Sequence, residues 1–327
     1  DYMVLRGFSE AAGGVTVEKA GEGNMNCVLR VRMSKRSVIV KQARPWVEKY
    51  PTIAAPVQRA MAEARFYGLV SGVAELSRWM PRLLDFDDAA AVLVMEDLTP
   101  AEPLMACYDG TFVFDEAQLM ALANFTRTLH HLVIPEQDRA DFQNREMRKL
   151  NHEHIFDLPI RSEGSAGSEG AFREMLEGIT PGLDEAGAFL REDDRYCEIV
   201  RQLGDRYLAD RAGALIHGDL FPGSLMRRES GALCVIDPEF SFCGDPEFDL
   251  GVFYAHLLLS RHPEARAEIW LRAAQDGGGR DELLLLQYAG VEIMRRLLGV
   301  AQLPGQLTLE EKRRLLERSR ELVLGGA

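Results

Sequence analysis

Residues 215–251 contain several acidic residues at a spacing that could do chemistry. His-Gly-Asp ends at Asp219, Ser224 follows, an apolar run leads into Asp237-Pro-Glu, and Asp249 comes last. Carboxylates at the ends of strand-like segments can orient an attacking hydroxyl and hold the metal ions that neutralise phosphate charge. This order and spacing indicate phosphoryl transfer from a metal nucleotide, rather than acidic loops that simply belong to an acidic surface.

Two charged residues upstream could complete a nucleotide site. Lys41 ends the strand-like run VIVK, and Glu63 lies on the next predicted helix. A strand lysine paired with a helix glutamate holds the α- and β-phosphates in kinase-like folds. Each residue alone would more simply be a solvated surface charge, but the downstream acids favour the functional interpretation. The turn at residues 21–26 could cover the phosphates with its backbone N–H groups, although glycine turns also join most hairpins.

The elements that must position these residues can be predicted from the sequence pattern. Residues 15–41 alternate as strand, turn, strand and strand, residues 56–70 have helical spacing, and a further strand is expected at 91–95. The polar segment from Glu96 to Glu102 contains Pro100 and is expected to be a hinge between two lobes.

Beyond this segment the pattern becomes helical. Asp115 can cap one helix, and Thr308 with Glu311 has the spacing of a capping box at the start of the last helix. The run after Asp249 is too apolar all round for a surface helix and is expected to be buried. Residues 161–170 consist mainly of glycine, serine and glutamate and are predicted to form a mobile loop.

The composition of the chain limits which classes of function the protein can have. The chain has 327 residues, enough for two modest lobes, and its 46% hydrophobic and 27% charged content is ordinary for a soluble globular protein. The formal charge of −13 argues against nucleic-acid binding through a basic field. The same charge would favour a cationic substrate. It is weak evidence for one, because many cytosolic proteins are equally acidic.

The remaining sequence signals concern the compartment. The five cysteines are scattered without a C-x-x-C pair, which is typical of reduced cytosolic thiols. The first residues lack the basic and apolar regions of a signal peptide, and no apolar stretch is long enough to span a membrane. The sequence therefore predicts a cytoplasmic protein without a membrane or nucleic-acid partner.

Four stretches of sequence carry a family resemblance. They are EGNMNCVLRV with VIVKQARPWV, NHEHIFDLPI, HGDLFPGS and IMRRLLGVA. They resemble the GDGNLN turn and VKQA-x-P-Y strand, a mid-chain segment, the HGDLHTGS loop and the paired-arginine helix of the 5-methylthioribose kinases. Those kinases are part of the protein-kinase-like superfamily of aminoglycoside phosphotransferases, and the resemblance runs through most of the chain.

The resemblance implies an α+β, bilobal, protein-kinase-like fold. Residues 1–98 would form a nucleotide-binding lobe with a small antiparallel sheet, and residues 99–327 a mainly helical lobe that holds the catalytic groups and the acceptor. The implied activity is transfer of the γ-phosphate of ATP, with Mg²⁺, to a hydroxyl of a sugar-like acceptor, most simply S-methyl-5-thioribose. Only a short turn separates Asp237 from Asp249, which leaves no platform for a polypeptide substrate. A small-molecule acceptor is therefore favoured. A homodimer is one assembly to be tested.

The resemblance also implies roles for the acidic residues. Asp219 would be the catalytic carboxylate that orients the substrate hydroxyl or accepts its proton, with His217 bracing the loop. Asp237 would bind the metal ion that bridges the β- and γ-phosphates, and Glu239 would share it. Ser224, where the wider superfamily usually has asparagine, would help to hold a second metal ion.

The remaining implied contacts belong to the cofactor and the acceptor. Lys41, with Glu63 as its partner, would contact the phosphates. The other cofactor contacts are implied for the turn and the adenine hinge, at Gly23, Asn24, Asn26, Met95, Glu96 and Leu98. Arg295 and Arg296 resemble the family's substrate-binding pair, although an ordinary exposed helix face would explain them equally well.

Departures from the family leave the acceptor open. The histidine and threonine that follow HGDL in the family are Phe221 and Pro222 here, and the tryptophan-proline signature after Lys41 is missing. An aminoglycoside, a ketosamine or another natural product therefore remains an alternative acceptor. A nucleotide-binding pseudokinase is a different class, and the presence of Lys41, Asp219 and Asp237 argues against it.

Overall fold

The computed structural model describes residues 2–8, 15–21, 23–34, 36–161, 180–211, 213–275, 279–303 and 307–326. Apart from residue 161, the predicted loop at 161–170 lies outside the described residues. No helix within the described ranges is long and apolar enough to cross a membrane. The first hundred residues form mainly an antiparallel sheet and the rest is mainly helical, which confirms the α+β class.

The N-terminal elements are α1 (Tyr2–Leu5), β1 (Thr16–Lys19), β2 (Cys27–Arg32), β3 (Ser37–Gln42), β4 (Trp46–Val47), β5 (Tyr50–Ala54), α2 (Arg59–Ser71), α3 (Ala74–Ser77), β6 (Leu83–Asp87) and β7 (Val92–Glu96). Five strands pair in the order β1-β2-β3-β7-β6, and β4 pairs with β5. In this register Lys41 lies opposite Val28 on one side and Leu93 on the other. Lys41 is therefore on the central strand, β3. The strand predicted at 91–95 is present as β7 and begins one residue later.

The remaining elements are β8 (Ala101–Pro103), α4 (Glu116–His130), α5 (Arg145–His152), α6 (Leu183–Arg191), α7 (Asp194–Leu208), β9 (Ala214–Ile216), β10 (Leu225–Arg228), β11 (Leu233–Val235), β12 (Phe242–Gly244), α8 (Pro246–Leu259), α9 (Glu264–Gln275), α10 (Glu282–Leu298) and α11 (Leu309–Leu324). The short strands form two small sheets, β11-β10-β8 and β12-β9. The predicted hinge segment therefore ends in a strand that pairs with β10. The boundary between residues 98 and 99 stays a prediction.

Local signals in the helical part are confirmed. Asp115 and Thr308 each accept a bond from a backbone N–H at the start of their helices, and both form capping boxes. Helix α8 is buried along almost its whole length, as its apolar sequence predicts. It packs against α10, and the Trp270 indole on α9 donates a hydrogen bond to Leu250 O at 3.0 Å.

The close packing of α8 on α10 depends on a glycine. A Cβ atom added to Gly251 would lie 2.4 Å from Leu285 O and 3.0 Å from Ala289 N. We expect Gly251→Ala to lower the free energy of unfolding by about 1–3 kcal/mol, the usual cost of overpacking. Urea denaturation followed by circular dichroism would measure this.

The control for this prediction is Gly68→Ala on α2. Gly68 is exposed, and an added Cβ would meet no atom within 4 Å. Alanine should therefore leave stability unchanged or raise it by up to about 1 kcal/mol through its higher helix propensity. Equal stability of both variants would contradict the close approach of α8 to α10.

Candidate active site

The loop that follows β9 is held by a buried carboxylate. Asp249, on α8, accepts hydrogen bonds from the backbone N–H groups of His217 at 2.8 Å and Gly218 at 2.9 Å. His130 Nε2 lies 3.0 Å from the same carboxylate. Burial would raise the pKa of Asp249, but the bonds from His130 and His217 outweigh it and lower the pKa. An ionised carboxylate thus fixes two consecutive peptide units just before Asp219. His130 therefore has a structural role, as a partner of this carboxylate.

Two features of the loop direct Asp219 outwards. Gly218 has φ +82°, and a Cβ there would lie 2.2 Å from Phe240 O. Only glycine fits this position without strain. His217 Nε2 is 2.9 Å from Ile236 O, so the ring nitrogen must donate, in keeping with a bracing role for this histidine. The Asp219 side chain is 21% exposed and is accessible to a ligand.

The predicted lysine–glutamate pair is formed. Lys41 Nζ lies 2.7 Å from Glu63 Oε2 and 2.6 Å from Asp237 Oδ1. Burial would lower the pKa of Lys41, but the carboxylates of Asp237, Glu239 and Glu63 outweigh it and raise the pKa well above its usual value. The lysine therefore stays charged and links the central strand to the acidic loop 196 residues later. The Lys41 ammonium group is therefore already oriented to bind a phosphate.

A second buried cluster joins the predicted phosphate turn to the acidic loop. Asn26 donates to Glu239 Oε2 at 2.7 Å, and Arg59 Nε donates to Asn26 Oδ1 at 2.9 Å. Arg59 Nε also lies 3.3 Å from Glu239 Oε2, and its NH2 group donates to Met25 O at 3.0 Å. The sequence analysis did not single out Arg59. A signal was present, since Arg59 and Glu63 are four residues apart on one helix face.

The other predicted cofactor residues lie in two places. In the turn, a Cβ at Gly23 would be 2.8 Å from Asn26 O, and Asn24 O accepts a bond from Lys49 N at 3.0 Å. In the predicted adenine hinge, the side chains of Met95 and Leu98 are buried. The Glu96 carboxylate, by contrast, is turned towards Arg82. The assignment of these residues to the nucleotide stays a prediction.

The predicted metal ligands differ in how free their oxygens are. Asp237 has a left-handed backbone with φ 63°, and its side chain is 48% exposed. Ser224 Oγ donates to Phe221 O at 2.8 Å and accepts from Phe221 N at 3.0 Å, which leaves one lone pair. Glu239 is buried against Asn26 and Arg59. Asp237 is therefore the most available ligand of the three.

Among the described residues, no three His, Cys, Asp or Glu side chains cluster to form a metal site by themselves. Mg²⁺ does not need such a cluster, because it binds through one or two carboxylates, water and substrate phosphates. The exposed oxygen of Asp237 beside Lys41 fits that mode of binding.

Arg295 and Arg296 are buried and not part of an exposed helix face. Their NH2 groups lie 3.1 Å and 3.2 Å from Asp219 Oδ1. The Arg296 guanidinium also stacks on the Phe221 ring at 4.5 Å from its centroid. The predicted substrate-binding arginines thus contact the predicted catalytic carboxylate, Asp219, which lies 76 and 77 residues earlier in the chain.

Comparisons with known proteins find methylthioribose kinases that are similar to this chain. A methylthioribose kinase from Geobacillus sp. (strain WCH70) is 26% identical over 352 residues, covering 92% of this chain and 82% of the relative. One from Erwinia tasmaniensis is 31% identical over 259 residues, covering 74% of this chain and 59% of the relative.

Solved structures share the fold. An aminoglycoside-3'-phosphotransferase of type VIII matches with a TM-score of 0.54 and 21% identity, covering 89% of this chain and 97% of that one. Choline kinase LicA from Streptococcus pneumoniae matches with a TM-score of 0.51 and 16% identity, covering 99% of both chains.

The family match covers most of the chain. Residues 16–286 match the model of the phosphotransferase enzyme family. Together with the protein-kinase-like fold, this match shows that the chain belongs to the phosphotransferase enzyme family and is an ATP-dependent phosphotransferase with an alcohol group of a small molecule as its acceptor.

Proposed function

We propose that this enzyme transfers the γ-phosphate of ATP, with Mg²⁺, to a hydroxyl of a neutral or anionic sugar-like acceptor, most simply S-methyl-5-thioribose. The contact of Arg295 and Arg296 with Asp219 carries this proposal. Two guanidinium groups beside the reacting hydroxyl would donate to sugar oxygens, whereas an ammonium group of a polycation has no lone pair to accept from them. The names of the curated relatives support the same acceptor.

In this proposal the nucleotide lies between the sheet of residues 1–98 and the helical part, residues 99–327. Lys41, oriented by Glu63, binds the α- and β-phosphates, and Asp237 holds the metal ion. When bound, Mg²⁺ neutralises phosphate charge. Asp219 accepts the proton of the acceptor hydroxyl, whose oxygen then bonds to the γ-phosphorus while the bond to the leaving ADP oxygen breaks.

A second candidate acceptor is an aminoglycoside, a ketosamine or another cationic natural product. The formal charge of −13 favours such a ligand through long-range attraction. At shorter range the arginine pair favours an acceptor with oxygen acceptors over one with ammonium groups, because the guanidinium groups can only donate. We therefore rank the neutral sugar first.

The acceptor class can be tested directly. ADP release would be measured with S-methyl-5-thioribose, other pentoses, a ketosamine, kanamycin and choline, each with Mg²⁺ and with excess EDTA. We expect S-methyl-5-thioribose to give the highest kcat/KM and EDTA to abolish turnover. Faster turnover of kanamycin or choline would overturn the proposed acceptor, and turnover in EDTA would overturn the role of the metal.

Asp219→Asn should abolish most turnover while nucleotide binding is kept. The amide has the same size but cannot accept the hydroxyl proton, and a catalytic base typically contributes about a hundredfold to ten-thousandfold in rate. The measurements are kcat by coupled assay and ATP binding by calorimetry. Asp205→Asn, at an exposed position on α7, is the matched control and should keep the original kcat. A near-normal kcat for Asp219→Asn would remove Asp219 from the mechanism.

Arg295→Ala and Arg296→Ala should each reduce kcat/KM for the acceptor and leave the KM for ATP nearly unchanged. A hydrogen bond from a charged donor is worth about 1.5–3 kcal/mol, or roughly tenfold to a hundredfold. Lysine should not restore the activity, because it lacks the planar fork of donors.

The control for the arginine pair is Arg313→Ala, which removes an exposed arginine from α11. It should leave both KM values unchanged. A similar loss in the Arg313 variant, or none in the Arg295 and Arg296 variants, would contradict the assignment of the pair to the acceptor.

A further inference from the structure

Behind the arginine pair lies a buried carboxylate that the sequence analysis did not identify. Glu292 is one turn earlier on α10 and is 1% exposed. Its Oε1 atom accepts from Arg296 Nε at 2.7 Å, and its Oε2 atom lies 3.0 Å from Arg295 Nε. Each arginine thus turns its Nε edge towards Glu292 and its NH2 group towards Asp219. Two guanidinium groups bridge two carboxylates.

The Glu292 Oε1 atom also has a neutral partner. His256 Nε2 lies 3.0 Å from Glu292 Oε1, and the Tyr108 hydroxyl lies 2.5 Å from His256 Nδ1. Burial lowers the pKa of His256 to about 4. The ring is therefore neutral at physiological pH, so Nε2 donates to Glu292 and Nδ1 accepts from Tyr108. This arrangement contributes no further positive charge to the cluster.

The ionisation of Glu292 follows from its neighbours. Burial would raise the pKa of Glu292, but Arg295 and Arg296 outweigh it and hold the pKa far below its usual value. An ionised Glu292 gives the cluster two positive and two negative charges, counting Asp219. Without it, one positive charge beside the acceptor site would lack a partner, which is costly in a buried setting.

We propose that Glu292 is a positioning residue for phosphoryl transfer, which sets the orientation and net charge of the arginine pair that faces Asp219. This inference rests on the proposed roles of Asp219 and the arginine pair. Glu292 accepts a hydrogen bond from Arg296 Nε and forms an ion pair with Arg295, and the NH2 groups of both arginines meet Asp219 at one oxygen, Oδ1. The geometry leaves Asp219 Oδ2 for the hydroxyl of the acceptor. Glu292 also balances the charge that an approaching acceptor meets.

The test uses Glu292→Gln in the full chain, assayed with the acceptor from the panel that has the highest kcat/KM. We expect kcat/KM for the acceptor to fall by roughly tenfold to a hundredfold, while the KM for ATP stays within about twofold. A purely structural role would lower the melting temperature or change both substrates together. Unchanged acceptor kinetics would overturn the proposal.

Inorganic sulfate provides a second readout that needs no acceptor. Glutamine leaves the arginine pair with one excess positive charge, so the site should bind sulfate more tightly by about fivefold, measured by calorimetry. Sulfate should also inhibit competitively against the acceptor and not against ATP. Sulfate binding equal to that of the original chain would overturn the charge-balancing role.

Two further variants complete the design. Glu282→Gln makes the same chemical change at the exposed start of α10 and should leave all these quantities unchanged. Glu292→Asp keeps the charge but shortens the side chain, so it should keep the original sulfate affinity and give an intermediate kcat/KM for the acceptor. If Glu292→Gln does not fold, Glu292→Asp decides the question, and unchanged acceptor kinetics in it would overturn the proposal.

The outcomes for the acceptor and for Glu292 are distinguishable. If S-methyl-5-thioribose is not the best substrate, the proposed acceptor fails, but the effect of Glu292→Gln is still measured with another panel member and with sulfate. If S-methyl-5-thioribose is the best substrate and Glu292→Gln behaves like the original chain, only the positioning role fails.

Discussion

The position of the loop that carries Asp219 depends on the ionised carboxylate of Asp249 inside the helical part of the protein. Its two oxygens accept from consecutive backbone N–H groups, which fixes the peptide planes immediately before Asp219. A buried charge of this kind is tolerated only when it is fully paired, and His130 provides the remaining contact. The loop, the short strands around it and α8 are thus coupled by one side chain.

Around this loop, pairs of opposite charge join segments that are far apart in sequence. Lys41 reaches Asp237, Arg59 reaches Glu239, and the arginine pair reaches Asp219. Removing one partner of a buried pair leaves an uncompensated charge, which costs more than the pair itself contributes. The Lys41 and Arg59 pairs therefore contribute to the alignment of residues 1–98 with the helical part, whereas the arginine pair holds α10 against the loop that carries Asp219.

What the sequence could predict was mainly local. The capping boxes at Asp115 and Thr308 involve residues three positions apart, and the buried α8 could be inferred from continuous apolar character. The family resemblance supplied Asp219, Asp237 and Lys41 by their motifs. The Asn26 and Glu239 partners of Arg59 could not be predicted, because they depend on how separate elements pack. Glu292 and Arg296 are four residues apart on one helix, but their spacing does not show that the pair is buried against Asp219. Buried and exposed charge pairs also use the same residue types, so the sequence does not show which pairs are buried.

The two sides of the site differ in how closely they follow the related kinases. On the proposed nucleotide side, Lys41 and Glu63 form the strand-lysine and helix-glutamate pair of kinase-like folds. On the proposed acceptor side, Phe221 stands where the methylthioribose kinases have a histidine, and its ring packs against both Arg296 and His256. Stacking on an aromatic face orients a guanidinium without using its donors. Arg296 can therefore be fixed by Glu292 and Phe221 together while its NH2 group still points at Asp219. Phe221 thus changes how the proposed acceptor site is built and leaves Asp219, Lys41 and Asp237, the groups proposed to perform the transfer, in place.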